Sequence, residues 1–180
     1  KFNMSERNLT TTRAGYLTPF YFKPVYPGEI WKANADLFAR ISNPLEFPLM
    51  DNLNITVHWW FDAFRNQWDN FRKFFGERVN PNDSIDYSTP KLSGTLNTTG
   101  PSVVNKLLIS LGLPEVISLA GSDVNVLPLR MYNRVYNHGY RDANLQDSIN
   151  EDKNDGPDIS TQYEIRYRGK RYDYFTGNLP

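Results

Sequence analysis

The chain has 180 residues, with 20 Lys and Arg against 20 Asp and Glu, two His, no Cys, four Trp, eleven Tyr and eleven Phe. Zero net charge excludes nucleic-acid binding through a general basic excess and leaves only local patches, while the lack of Cys excludes disulfide frameworks, thiolate nucleophiles and thiolate-held zinc. A chain of this size can bury roughly two-thirds of its unfolded surface, the aromatic load argues for a packed core, and no window reaches the ~18 apolar residues of a bilayer span.

Taken in chain order, the first periodic segment runs from Glu29 to Ile41. Trp31, Ala33, Ala35, Leu37, Ala39 and Ile41 alternate there with Lys32, Asn34, Asp36 and Arg40, with Phe38 the one exception, which predicts a long strand. Leu53, Ile55, Val57, Trp59 and Phe61 repeat the pattern over 52–62, broken only by Trp60. Pro44 and Pro48 make the connection between the two a real loop. The period then changes: Phe64, Trp68, Phe71 and Phe75 share a helical face and Gly76 follows as a stop, which predicts an amphipathic helix.

Residues 80–100, rich in Asn, Pro, Ser, Thr and Gly, read as a long excursion. A second helix is predicted from Ser102 as N-cap through Leu107, Leu108 and Leu111 to Gly112. A third opens with Pro128 in its first turn and keeps Leu129, Tyr132, Tyr136 and Tyr140 on one side. Residues 144–159 form a polar, acidic loop with a turn at Asp155-Gly156-Pro157-Asp158. A third strand follows, with Tyr163, Ile165 and Tyr167 on one face and a bulge or turn at Gly169. Long strands joined by partly helical excursions suit a sandwich or jelly roll, which three strands cannot close. With no initiator Met and an end at Asn178-Leu179-Pro180, we expect one piece of a longer protein.

Catalytic constellations are absent from the sequence. His58 and His138 lie far apart, and Lys153 occupies a ligand position in the stretch 151–156 that otherwise resembles a calcium loop. No serine-nucleophile or phosphate-cradling glycine motif occurs. Glu29, Asp36, Asp62 and Glu164 could supply paired carboxylates for glycoside hydrolysis, but their spacing brings no two together. The sequons at Asn3, Asn8, Asn54 and Asn97 are those an Asn- and Thr-rich chain produces by chance.

The most suggestive polar feature is the basic group Arg166, Arg168, Lys170 and Arg171 interleaved with tyrosines, a pattern that can grip phosphates and stack on unpaired bases. A solvated strand face, or one pairing with the acidic loop before it, is the plainer account: residues 141–158 carry six acidic and two basic side chains. The aromatics Trp59, Trp60, Tyr172 and Tyr174 are candidates for a subunit interface. Trp59, Trp60 or Tyr172 could instead be the stacking platform of a carbohydrate-binding β-sandwich module.

Several blocks resemble a known family. They are Ala14-Gly15-Tyr16-Leu17-Thr18-Pro19, Pro44-Leu45-Glu46-Phe47-Pro48-Leu49-Met50-Asp51-Asn52-Leu53, Val124-Asn125-Val126-Leu127-Pro128-Leu129-Arg130, Arg141-Asp142-Ala143-Asn144-Leu145-Gln146-Asp147, and Arg168-Gly169-Lys170-Arg171-Tyr172-Asp173-Tyr174-Phe175-Thr176. Together they resemble the amino-terminal part of the major capsid protein of the Microviridae, in its gokushovirus branch. The resemblance implies a mainly β fold, an eight-stranded antiparallel viral jelly roll only partly contained in residues 1–180, with insertions at about 63–122 and 126–160. It implies a structural, non-enzymatic protein without cofactors or metal, self-assembling into a T=1 icosahedral shell around a circular single-stranded DNA genome. The implied partners are copies of itself, that DNA, a small basic DNA-packaging protein inside and the host cell surface outside, with no membrane insertion. The implied location is the virion, assembled in the bacterial cytoplasm. On this reading Arg166 and Arg168 face the particle interior or a subunit junction.

Overall fold

The computed structural model describes residues 2–42, 44–48, 50, 52–84, 86–93, 103–113, 124–169 and 174, with residues 103–105 described by their backbone alone. The chain divides into two units, one of residues 23–60 and one of residues 1–22 with 61–180.

In the first unit the alternation of polar and apolar residues is not matched by a ladder. Neither 29–41 nor 52–60 pairs as a strand among the described residues, which corrects the two predicted strands. Leu37, Ile41, Leu53 and Ile55 are exposed instead of buried. The physical reason is that alternation encodes a face and not a partner. An extended backbone satisfies its N–H and C=O groups only beside another strand. At the start of the segment Glu29 accepts hydrogen bonds from Tyr26 N (3.1 Å) and Trp31 Nε1 (2.9 Å). Those bonds, from Trp31 first and Tyr26 second, hold the Glu29 carboxyl below its usual range.

The second unit holds the core. The predicted long aromatic helix is broken into a 3-10 turn at Phe64–Asn66 and a short helix α1 at Phe71–Phe74. The break has a specific cause: Asp69 N donates to Lys153 O (3.0 Å) rather than to its own helix, and Asn70 Nδ2 and Trp68 Nε1 both turn to Asp155. The aromatic stripe still packs on itself, with Trp68 only 1% exposed and Phe64, Phe71, Phe74 and Phe75 in successive ring contacts. Helices α1 and α2 (Val103–Ser110) both end in Schellman turns, with Gly76 and Gly112 at φ +88° and +94° as the sequence predicts.

Helix α3, Leu127–Gly139, carries Pro128 in its first turn, and Asn125 Oδ1 accepts the Leu127 N–H (2.9 Å). Short strand β1 (Leu92–Ser93) lies parallel to β2 (Asp158–Ile159), and Lys91 bridges antiparallel to Asn125. Both strands lie in segments predicted as loops. Leu92, Leu107, Leu108, Val126, Leu129, Tyr163 and Ile165 form the apolar core at this junction, with Tyr16 and Tyr132 packed against it. The alternation over 163–167 is therefore realised as burial of Tyr163 and Ile165, but the predicted third strand is reduced to one antiparallel bridge, Tyr16 to Tyr167. Gly169 N donates to Tyr140 O (3.0 Å), and a Cβ at Gly169 would stand 2.6 Å from that oxygen, so the close approach requires glycine.

Candidate functional site

The segment 163–169 is positioned by a polar hub beneath it. Arg130 of α3 pairs bidentately with Asp158, Nε to Oδ2 at 2.8 Å and Nη2 to Oδ1 at 2.6 Å. Both side chains are almost wholly buried, at 3% and 1% exposure. Arg130 Nη1 also donates to the carbonyls of Gln67 (3.0 Å) and Asn154 (2.9 Å), and the Tyr163 hydroxyl donates to Asp158 Oδ2. Burial works against the Arg130 charge, but the hydrogen bonds and charge of Asp158 outweigh it and raise the guanidinium above its ordinary value. Burial, and then the bond to Asp158, drives the Tyr163 hydroxyl far up. One ion pair thus ties α3, the 67–70 turn, the 154–158 turn and the start of the tyrosine segment together.

Around it Glu151 of the acidic loop is spent on helix α3. Arg134 lies between Asp62 Oδ2 (2.9 Å) and Glu151 Oε2 (2.8 Å), and Asn137 exchanges bonds with Ile149 and Glu151. Arg166 pairs instead with Glu164 (3.6 Å) two residues back, and its Nε is buried without a hydrogen-bond partner. The pairing of basic segment with acidic loop, one of the plainer accounts of the sequence, is therefore not the arrangement found among the described residues.

Above the hub the chain start docks. Leu17 N donates to Arg166 O and Arg168 N to Gly15 O, both at 2.9 Å, while the Tyr132 hydroxyl donates to Leu17 O (2.9 Å) and accepts from Arg166 N (2.8 Å). Burial, the main cause, pushes the Tyr132 hydroxyl up to about 12. The Tyr16 and Tyr167 rings meet at 4.4 Å between centroids. Lys106 Nζ stands 5.6 Å from the centre of the Tyr16 ring, and the Arg168 guanidinium 5.6 Å from that of Tyr140.

Of the predicted site residues, then, Arg166 and Arg168 flank a tyrosine bridge, and Lys170, Arg171 and Tyr172 lie outside the described residues. Tyr174 is 82% exposed, while Trp59 and Trp60, in the other unit, are half exposed at 53% and 44%. No sign of Lys106 beside this bridge is legible in the sequence, because no local pattern links residue 106 to Tyr16 or Tyr167. Of the four carboxylates considered for glycoside chemistry, three are engaged with other groups: Glu29 binds Trp31, Asp62 binds Arg134 and Glu164 binds Arg166. Among the described residues no group of three or more His, Asp or Glu is placed to hold a metal ion.

Comparison with known proteins bears on this arrangement. The family described as capsid protein (F protein) matches residues 1–180. Capsid protein VP1 of Bdellovibrio phage phiMH2K is 34% identical over 180 residues, which is 100% of this chain and 33% of that protein. Capsid protein VP1 of Chlamydia phage 1 is 30% identical over 200 residues, 99% of this chain and 33% of its own length. Capsid protein VP1 of Spiroplasma virus 4 is 29% identical over 194 residues, 100% and 34% respectively. The chain spans about a third of the length of these relatives.

Proposed function

Because the chain belongs to the capsid protein (F protein) family, we propose that it is part of a structural subunit that assembles with copies of itself into a T=1 icosahedral shell around a circular single-stranded DNA genome. Its working place is then the virion, after assembly in the bacterial cytoplasm. The observation that carries this reading is the unit of residues 23–60, where alternating apolar side chains such as Leu37, Ile41, Leu53 and Ile55 stand exposed on a backbone that forms no ladder among the described residues. A closed monomeric domain buries such a face. A shell subunit covers it with further jelly-roll strands and with neighbouring copies.

On this reading the mainly β, eight-stranded jelly roll is completed by polypeptide that the relatives possess and these residues do not include. The 63–122 and 126–160 segments are its insertions. Trp59, Trp60, Tyr172 and Tyr174 belong to subunit contacts, and Arg166, Arg168, Lys170 and Arg171 to a subunit junction or the DNA-facing surface. A small basic packaging protein within and the host surface without complete the partners. The role asks for association and not for catalysis.

The test is to express the full polypeptide that carries this chain and examine it by sedimentation and electron cryomicroscopy. Closed icosahedral particles enclosing nuclease-protected single-stranded DNA are the expected result. A full polypeptide that stays monomeric, with residues 29–41 and 52–60 covered by its own strands, overturns the assembly reading.

A further inference from the structure

The Tyr16–Tyr167 bridge gathers cations that the sequence keeps apart. Arg13 begins the turn that leads into it, closed by Tyr16 N donating to Arg13 O (3.2 Å). Lys106 comes from α2, with its ammonium 5.6 Å from the Tyr16 ring centre. Among the described residues neither Arg13 nor Lys106 has a carboxylate within ion-pair distance. Arg166, by contrast, is neutralised by Glu164. Extended geometry places Arg166 on the face opposite Tyr167, so of the basic face singled out in the sequence Arg166 is compensated by a carboxylate, while Arg168 lies against the Tyr140 ring.

The tyrosine face emerges from the core at this point. Tyr163 and Ile165 are buried at 2% and 5% exposure, while Tyr167, on the same face, is 55% exposed. The surroundings are electropositive as well: the adjacent Tyr167 hydroxyl, and then the charges of Lys106 and Arg13, lower the Tyr16 hydroxyl from its ordinary value. Two close-packed rings, one of them open to solvent, beside two cations that have no carboxylate partner among the described residues offer a π surface for a base and charges for the phosphates on either side. A double helix hides its base faces, so this chemistry selects an unpaired strand.

We infer that Tyr16, Tyr167, Arg13 and Lys106 form a contact site for single-stranded DNA, with Tyr167 stacking on one unpaired base and Arg13 and Lys106 holding the flanking phosphates. The inference rests on the reading of the subunit as one that encloses DNA, and it moves the contact from the Arg166 and Arg168 face to the tyrosine face.

The experiment measures fluorescence anisotropy of labelled oligothymidylate with the full polypeptide over a salt series. R13A/K106A weakens binding at least tenfold and lowers the salt slope by about 1.4, as the loss of two phosphate contacts to a single strand requires. Y167L weakens binding about tenfold, Y167F restores it, and an abasic strand of equal charge binds the wild type as weakly as Y167L binds oligothymidylate. R166A/R168A changes the affinity less than R13A/K106A. Equal binding of abasic strand, duplex and oligothymidylate overturns the stacking site. A larger loss in R166A/R168A than in R13A/K106A overturns the placement while leaving DNA enclosure intact. A full polypeptide that forms particles yet binds no oligonucleotide overturns both.

Discussion

Arg130 and Asp158 form a two-bond ion pair, 2.8 and 2.6 Å, in which neither side chain is more than 3% exposed. Twenty-eight residues separate them, and the pair fastens the acidic loop to helix α3 from within. Removing one member leaves the other charged and buried. R130M or D158N therefore lowers unfolding free energy by about 3–5 kcal/mol, measured by urea denaturation of the full polypeptide. R130M/D158N costs less than the two single changes together, because no orphaned charge remains. Additive losses count against the pair as a coupled unit.

Tyr132 makes stability fall with alkali. Its hydroxyl is neutral, buried and bonded both to Leu17 O and to Arg166 N, and its value stands at about 12 against an ordinary 10. A raised acid of this kind contributes stability that is complete below pH 10 and lost as pH climbs toward 12. The loss amounts to roughly 2–3 kcal/mol. Tyr163, also raised, adds to the same slope. Denaturation midpoints between pH 9 and about 11.5 therefore decline less steeply in Y132F than in the wild type; equal slopes count against this account.

Gly169 permits a contact that no other residue fits. A Cβ there stands 2.6 Å from Tyr140 O and 3.3 Å from Asp142 N, both backbone atoms that cannot swing aside. G169A forces the 166–169 segment away from α3 and lowers stability by about 1–3 kcal/mol. Thermal denaturation reads this directly, and a neutral G169A shows that the segment yields freely.

The exposed alternation over 29–41 and 52–60 predicts a difference between free and assembled protein. Where neighbouring copies supply part of the cover, the expected result is that these backbone amides exchange more slowly with deuterium in particles than in unassembled polypeptide. Hydrogen-exchange mass spectrometry of both states is the measurement. Identical exchange in the two states removes assembly as the event that orders them.

Much of the second unit was legible in the residues. The ends of α1 and α2 at Gly76 and Gly112 follow from chemistry that a few neighbouring positions carry. So do the start of α3 at Pro128 and the burial of Tyr163 and Ile165. The break after Phe64–Asn66 was not legible, because the Asp155 carboxylate that draws Trp68 and Asn70 aside is 87 and 85 residues away in the chain. Strands β1 and β2 escaped notice for a similar reason: two residues show no period, and only their pairing across 66 positions defines them.

By itself, then, the sequence determined the C-terminal ends of α1 and α2, the first turn of α3, the polar and apolar faces of the extended segments and, through its motif blocks, the family. These depend on local sterics and side-chain chemistry. Only the tertiary structure decided which charges meet. It gave Glu151 and Asp158 to Arg134 and Arg130, Glu164 to Arg166, and brought Lys106 to Tyr16. A charge has no period, and its partner is whichever opposite group the folded backbone carries within a few ångströms.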